Sequence, residues 1–228
     1  MKKSNVTVCL CTSRAIIDRE RAVKVSQILR DAGHAVRLEA DLCEKAISSF
    51  PEMEEIAAST VIACYPRAVS ALFDRLNLKP AAVLDLRNGS AEDILSGFNL
   101  SESSSSEPFM TEADALPQKN GHDAWYPVID RERCSGCGKC FDFCLFGVYG
   151  FEGNTVEVSH PTHCKIDCPA CARTCPQKAI IFPKYPKSPI NGGLTEEEPV
   201  AVNPKLLYSE ALEYRLNRRR AGVSLLKK

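Results

Sequence analysis

The sequence has no apolar run approaching the roughly 18 residues of a membrane-spanning helix. Its start, Met1-Lys2-Lys3-Ser4-Asn5-Val6-Thr7-Val8-Cys9-Leu10-Cys11, is basic but carries too short an apolar stretch for a signal peptide. No membrane span and a cytoplasmic location are therefore expected. Neither sign of charge is in excess: Lys+Arg and Asp+Glu both total 29 among 228 residues. That balance argues against a dedicated nucleic-acid binder. No glycine-rich fingerprint follows the first expected strand, where Cys11-Thr12-Ser13-Arg14 stands instead, so a dinucleotide phosphate site is not expected. Cysteine is missing between residues 65 and 133 and after 175.

What is present is cysteine itself, 12 residues in a chain that is otherwise 44% apolar and 25% charged. In the cytosol so many cysteines are unlike a set of disulfides, and metal or redox chemistry becomes the leading explanation. Four lie at 9, 11, 43 and 64; the other eight crowd into 134–175. Between the groups runs Ser101-Glu102-Ser103-Ser104-Ser105-Ser106-Glu107-Pro108, a polar low-complexity stretch that reads as linker. The expected organisation is an α/β domain over 1–100, a flexible Ser-rich linker over 101–122, a cysteine-rich domain over 123–186 and an extension over 187–228.

The first hundred residues alternate strand and helix patterns. Val6–Leu10, His34–Leu38, Thr60–Ala63 and Ala81–Leu86 read as strands. Ala15–Ala32, Pro51–Ala58 and Pro66–Leu76 read as helices, the first stopped by Gly33. Such alternation implies a parallel sheet covered by helices. The extension carries Lys205, Arg215, Arg218, Arg219, Arg220, Lys227 and Lys228 against Glu210 and Glu213. With Leu206, Leu207, Leu212, Leu216 and Val223 it reads as a basic amphipathic helix, either docking an acidic partner or packing on its own chain. Tyr208 and Tyr214 are too few aromatics for a nucleic-acid stacking platform. His34, His122, His160 and His163 show no ligand spacing; His163 adjoins Cys164.

The strongest motif pair is in the second group. Cys134, Cys137, Cys140 and Cys144 have the spacing C-x2-C-x2-C-x3-C, and Cys164, Cys168, Cys171, Cys175 and Pro176 have C-x3-C-x2-C-x3-C-P. Over roughly residues 126–183 this resembles the bacterial two-cluster ferredoxin family. The resemblance implies a pseudo-twofold α+β domain with two [4Fe–4S] clusters, each taking its fourth ligand from the other run. Cluster one would take Cys134, Cys137, Cys140 and Cys175; cluster two would take Cys164, Cys168, Cys171 and Cys144. Gly136 and Gly138 suit the unusual backbone angles of a cluster-wrapping loop. Short strands are expected at Ile129-Asp130 and Ala179–Ile181, and a hairpin from Gly147–Tyr149 to Thr155–Val158 turning at Gly153-Asn154. Leu145 replaces the proline the family usually has after the first run, and Lys165-Ile166-Asp167 makes one gap a residue longer, which should widen the second loop. Structural zinc more often uses paired C-x2-C, and Cys168-Pro169-Ala170-Cys171 lacks the strand–helix setting of a thioredoxin motif.

Cys9 and Cys11 close the first expected strand, Cys43 follows the second and Cys64 closes the third. The carboxyl ends of parallel strands share one edge, so these four can meet there. Over about residues 4–90 the order resembles the amino-terminal domain of the flavin-binding component of heterodisulfide reductase, with Ala63-Cys64-Tyr65-Pro66-Arg67 at the third strand. The resemblance implies that Cys9, Cys11, Cys43 and Cys64 bind a third [4Fe–4S] cluster; buried structural cysteines are the other reading. That family's flavin-binding region has no counterpart in this chain. The whole is then an α/β domain followed by a ferredoxin-type α+β domain. It would relay single electrons as one component of an anaerobic multi-subunit oxidoreductase, and its redox partner would be a flavoprotein or another iron–sulfur protein. Clusters bound by four thiolates leave no open iron, which favours a relay over a catalyst, and no catalytic residue is expected. The alternative is a redox-sensing or docking adaptor with free thiols or a labile cluster in its amino-terminal domain.

Overall fold

Four short β-rich runs build the sheet. The computed structural model describes residues 3–101, 110–117 and 124–193. Strands β1 (Asn5–Cys9), β2 (Ala35–Glu39), β3 (Thr60–Ala63) and β4 (Ala82–Asp85) lie parallel in the order β2-β1-β3-β4. Cys9 pairs Glu39, Val8 pairs Ile62 and Ala63 pairs Asp85. The strand order reverses between β1 and β3, which opens a crevice at their carboxyl ends, where open α/β sheets bind ligands.

Helix α1 (Arg19–Asp31) starts where the Asp18 side chain accepts from the Arg21 amide at 2.8 Å, and ends before Gly33 at φ +89°. It buries Val23, Val25, Ile28 and Leu29 on the sheet. Helix α2 (Leu42–Ser48) is capped by Asp41, which accepts from the amides of Cys43 and Glu44. Helices α3 (Phe50–Ala57) and α4 (Pro66–Asp74) follow, α4 burying Ala68, Val69, Leu72 and Phe73. Helix α5 (Ala91–Ser96) opens with a reciprocal Ser90–Asp93 capping box.

The stretch expected as linker contains helix α6 (Met110–Ala115). Its Ala113 is buried in the sheet core, Glu112 pairs with Arg30 at 2.6 Å and Asp114 with Arg19 at 2.5 Å. Partners on α1 thus turn a locally polar run into structure. The Ser-rich run at 102–109, His122 and the basic segment from 194 onward lie outside the described residues.

The second half is built of two similar pieces. Strand β5 (Val128–Ile129), a cysteine loop and α7 (Lys139–Phe143) lead to β6 (Tyr149–Glu152); β7 (Thr155–Val158) and a 3₁₀ turn at Pro161–His163 lead to a second cysteine loop, α8 (Ala170–Thr174) and β8 (Ile180–Ile181). β5 pairs antiparallel with β8, and β6 with β7. Gly153 and Asn154 both take positive φ, +52° and +64°, as a type I′ hairpin turn requires. Strand alternation divides β5 and β8 between two cores. Val128 and Ile181 join Ala124 and Tyr126 in the sheet core, while Ile129 and Ile180 pack with Trp125 and Phe182 under the cysteine loops. One two-stranded ribbon therefore forms a wall of both cores.

Candidate metal centres

None of the twelve cysteines is joined in a disulfide. Cys134, Cys137, Cys140 and Cys175 line one small cavity. Asp130 turns the chain into the first loop, accepting from the amides of Glu132 and Arg133 at 3.1 and 3.3 Å. The loop depends on two left-handed glycines. A Cβ on Gly136 (φ +66°) would collide with the Asn154 carbonyl, and one on Gly138 (φ +72°) would meet the Phe151 ring at 3.2 Å. Helix α7 delivers Cys140, and Cys175 sits at the C-terminal cap of α8, where its sulfur accepts from the Ala179 amide at 3.4 Å. Burial pushes the Cys140 thiol up to about 11, with Cys175 and Cys134 adding to the rise.

Cys164, Cys168, Cys171 and Cys144 form a second neighbourhood. Burial raises the Cys164 thiol to about 12, reinforced by Cys168 and Cys144. Burial likewise lifts Cys171 to about 12, opposed by the Tyr149 hydroxyl, which donates to its sulfur at 3.0 Å. The longer first gap of this run turns at Asp167, φ +59°, and Asp167 pairs with Arg14 at 2.7 Å. Large apolar side chains stand exposed in this half of the chain: Phe141, Phe143, Leu145, Phe146, Phe151 and Ile166.

Cys9, Cys11, Cys43 and Cys64, the third group, line a small cavity at the β1/β3 crevice, the third cavity below. Cys9 ends β1, Cys11 follows it at φ +47°, Cys43 lies in the first turn of α2 and Cys64 follows β3. Burial raises Cys9 and Cys43 well above the usual thiol range, and the Asp41 carboxylate raises both further. Cys64 is pushed up to about 11 by burial, with the Arg87 guanidinium pulling the other way.

Four thiols in each group are the number of donors a [4Fe–4S] cluster would take. A single ion needs its thiolates to converge at about 2.3 Å on one point, and among the described residues no group of three or more His, Cys, Asp and Glu does so. Soft thiolate is the ligand that a polynuclear iron–sulfur centre would take. Of the histidines, His34 is buried with Nδ1 bonded to the Ser4 hydroxyl at 2.8 Å, and His160 and His163 stack on each other in exposed positions. A wider groove at Thr12, Arg37, Glu39 and Lys45 carries charges that are already paired, Arg37 with Glu52 at 2.8 Å and Lys45 with Glu39 at 3.0 Å.

Several residues at these sites carry no sequence signal. Lys184 bonds Asp41 beside the third cavity. Arg67 Nε donates to Asp130 Oδ2 at 2.5 Å, and its Nη2 reaches the Lys178 carbonyl. The Tyr126 hydroxyl donates to the Cys43 carbonyl at 2.7 Å. Each contact spans a long loop, and only burial of the side chain reveals it.

Eight cysteines at ferredoxin spacing, none of them in a disulfide, define an iron–sulfur protein. No protein-family model matches the chain. An uncharacterized ferredoxin of Methanocaldococcus jannaschii is 48% identical over 61 residues, covering 26% of this chain and 42% of the relative. Ferredoxin-3 of Nostoc sp. is 35% identical over 79 residues, covering 25% of this chain and 80% of the relative. A second uncharacterized ferredoxin of M. jannaschii is 34% identical over 57 residues, covering 24% and 74%. The chain thus spans less than half of the first relative and most of the other two. It belongs to the ferredoxin family through about a quarter of its length. That quarter is a ferredoxin-type 4Fe–4S domain with an iron–sulfur electron-transfer role. Among the described residues no helix is long and apolar enough to cross a membrane.

Proposed function

We propose that the chain relays single electrons through three [4Fe–4S] clusters as one component of a multi-subunit oxidoreductase. Cys134, Cys137, Cys140 and Cys175 would hold the first cluster, Cys164, Cys168, Cys171 and Cys144 the second, and Cys9, Cys11, Cys43 and Cys64 the third. Once bound, the clusters supply the redox chemistry; the protein supplies burial, hydrogen bonds and spacing. Under this reading residues 1–100 are an amino-terminal domain like that of the flavin-binding component of heterodisulfide reductase, and 123–186 the ferredoxin domain. An anaerobic setting and a flavoprotein or iron–sulfur partner follow from that likeness, and a cytoplasmic location is part of the same proposal.

The observation that carries the reading is the sorting of twelve cysteines, none in a disulfide, into three neighbourhoods of four. A thiol-sensing role for the amino-terminal four is disfavoured. Reactive sensor thiols are accessible and acidified, whereas Cys9, Cys11 and Cys43 are buried and burial raises Cys9 and Cys43.

The test is iron and acid-labile sulfide per chain after anaerobic purification, with EPR of the reduced protein. Three clusters give about twelve irons, and Cys9→Ser with Cys64→Ser removes about four. A value near eight that the two substitutions leave unchanged would sink the third site.

A further inference from the structure

A buried ammonium is costly unless its charge is met. Lys184 is 3% exposed. It follows β8, yet its side chain reaches the β1/β3 crevice and lines the third cavity together with Cys9, Cys11, Cys43, Cys64 and Asp41. Its Nζ donates to the Asp41 carboxylate and, at 2.5 Å, to the Ser13 hydroxyl. Ser13 in turn donates to Asp41 Oδ2 at 2.6 Å. Asp41 Oδ1 accepts from the amides of Cys43 and Glu44 at 3.0 and 3.2 Å. A chain of bonds therefore runs from the ammonium through a carboxylate to the backbone that holds Cys43.

We propose that Lys184 is a positioning residue that sets the reduction potential of the amino-terminal centre, with Asp41 acting in the opposite sense. The inference rests on the reading that Cys9, Cys11, Cys43 and Cys64 hold a cluster. Reduction brings one electron from an external one-electron donor into the centre; no bond forms or breaks and no proton moves. The centre gains one unit of negative charge. In a buried site that charge is poorly screened, so the ammonium favours the reduced state and the carboxylate disfavours it. The same opposition shows at the cavity's thiols, where Asp41 pushes Cys43 up and Lys184 pulls it down. Pro183 and Lys184 come from the half of the chain that carries the other eight cysteines. That half therefore tunes a centre whose thiols it does not supply.

The experiment is an EPR-monitored redox titration of the full-length, cluster-loaded chain, with iron counted in each sample. Lys184→Met lowers the potential of the amino-terminal centre, Lys184→Arg keeps it near the parent value, and Asp41→Asn, which preserves a helix cap, raises it. The ferredoxin-type clusters move less. Unmoved potentials at full iron content overturn the inference and leave the three-cluster reading standing; so does a Lys184→Arg that behaves like Lys184→Met. Should Lys184→Met lose the centre, Asp41→Asn decides: a raised potential supports the inference, an unchanged or lowered one overturns it. About eight irons in the parent chain overturn the inference together with the third site itself.

Discussion

Tyr149→Phe isolates one hydrogen bond to a proposed ligand. The Tyr149 ring is buried and its hydroxyl donates to Cys171 Sγ at 3.0 Å. Phenylalanine keeps the ring and its packing and removes only the donor. Hydrogen bonds contribute about 0.5–1.5 kcal/mol to neutral and about 1.5–3 kcal/mol to charged acceptors. The gain when the centre takes up one further charge is therefore on the order of 1 kcal/mol. For a one-electron couple about 59 mV corresponds to a tenfold change, or roughly 1.4 kcal/mol, so the substitution lowers one potential by about 40 mV. The assay is an EPR-monitored titration of parent and variant side by side. One potential should fall while the others hold. A rise, no shift, or an equal shift of every centre would refute the assignment of Tyr149 as a donor to a single cluster.

Other substitutions test the scaffold. Gly136→Ala places a Cβ against the Asn154 carbonyl at φ +66°, adding about 1–2 kcal/mol of left-handed strain; iron content should fall by up to about four per chain, and an unchanged count would show that the loop yields. Arg67→Ala strips Asp130 of its 2.5 Å partner while Arg133 stays 3.6 Å away. Breaking a fully buried pair costs about 3–5 kcal/mol; with Arg133 nearby, about 2 kcal/mol is expected, read as a lower denaturation midpoint. The cluster-free chain should be alkali-sensitive. Burial raises Cys64 and Cys140 to about 11 and Cys164 and Cys171 to about 12. A raised thiol pKa contributes stability that is present below the unfolded value, about 8.5, and is lost as pH rises through the folded one. Thermal melts should hold up to about pH 9 and fall between there and about 12; a flat profile would contradict the burial.

Local chemistry is legible where it is strong. Thr60–Ala63 reads as a strand and is β3, and Gly153-Asn154 reads as a turn and is one. The parallel sheet follows from alternation alone. Helix α2 is hidden because its cap, Asp41, looks like any loop aspartate until Cys43 and Glu44 bond to it. The Ser90–Asp93 box does mark a helix start in the residues themselves, although α5 is not among the expected helices. Helix α6 owes its place to Arg19 and Arg30, far away in sequence. Lys184, between Pro183 and Tyr185, resembles a surface residue and is buried. The spacing of Cys134 to Cys175 conveys its grouping because each loop is short. The meeting of Cys9, Cys11, Cys43 and Cys64 needs the sheet order, which no single segment encodes.

The additional residue in the second cysteine loop has a consequence for how the two halves are held together. Even doubling a loop costs only about 0.6 kcal/mol of closure entropy, so one more residue is nearly neutral for folding. Here it lets the chain turn at Asp167 and reach Arg14, whose guanidinium also lies over the Trp125 ring at 5.3 Å. The pair is exposed, and such pairs contribute at most about 1 kcal/mol. Its value lies in orientation rather than strength. The longer loop thus works as a latch that fixes the angle of a seam which Arg67–Asp130 and Lys184–Asp41 already hold shut.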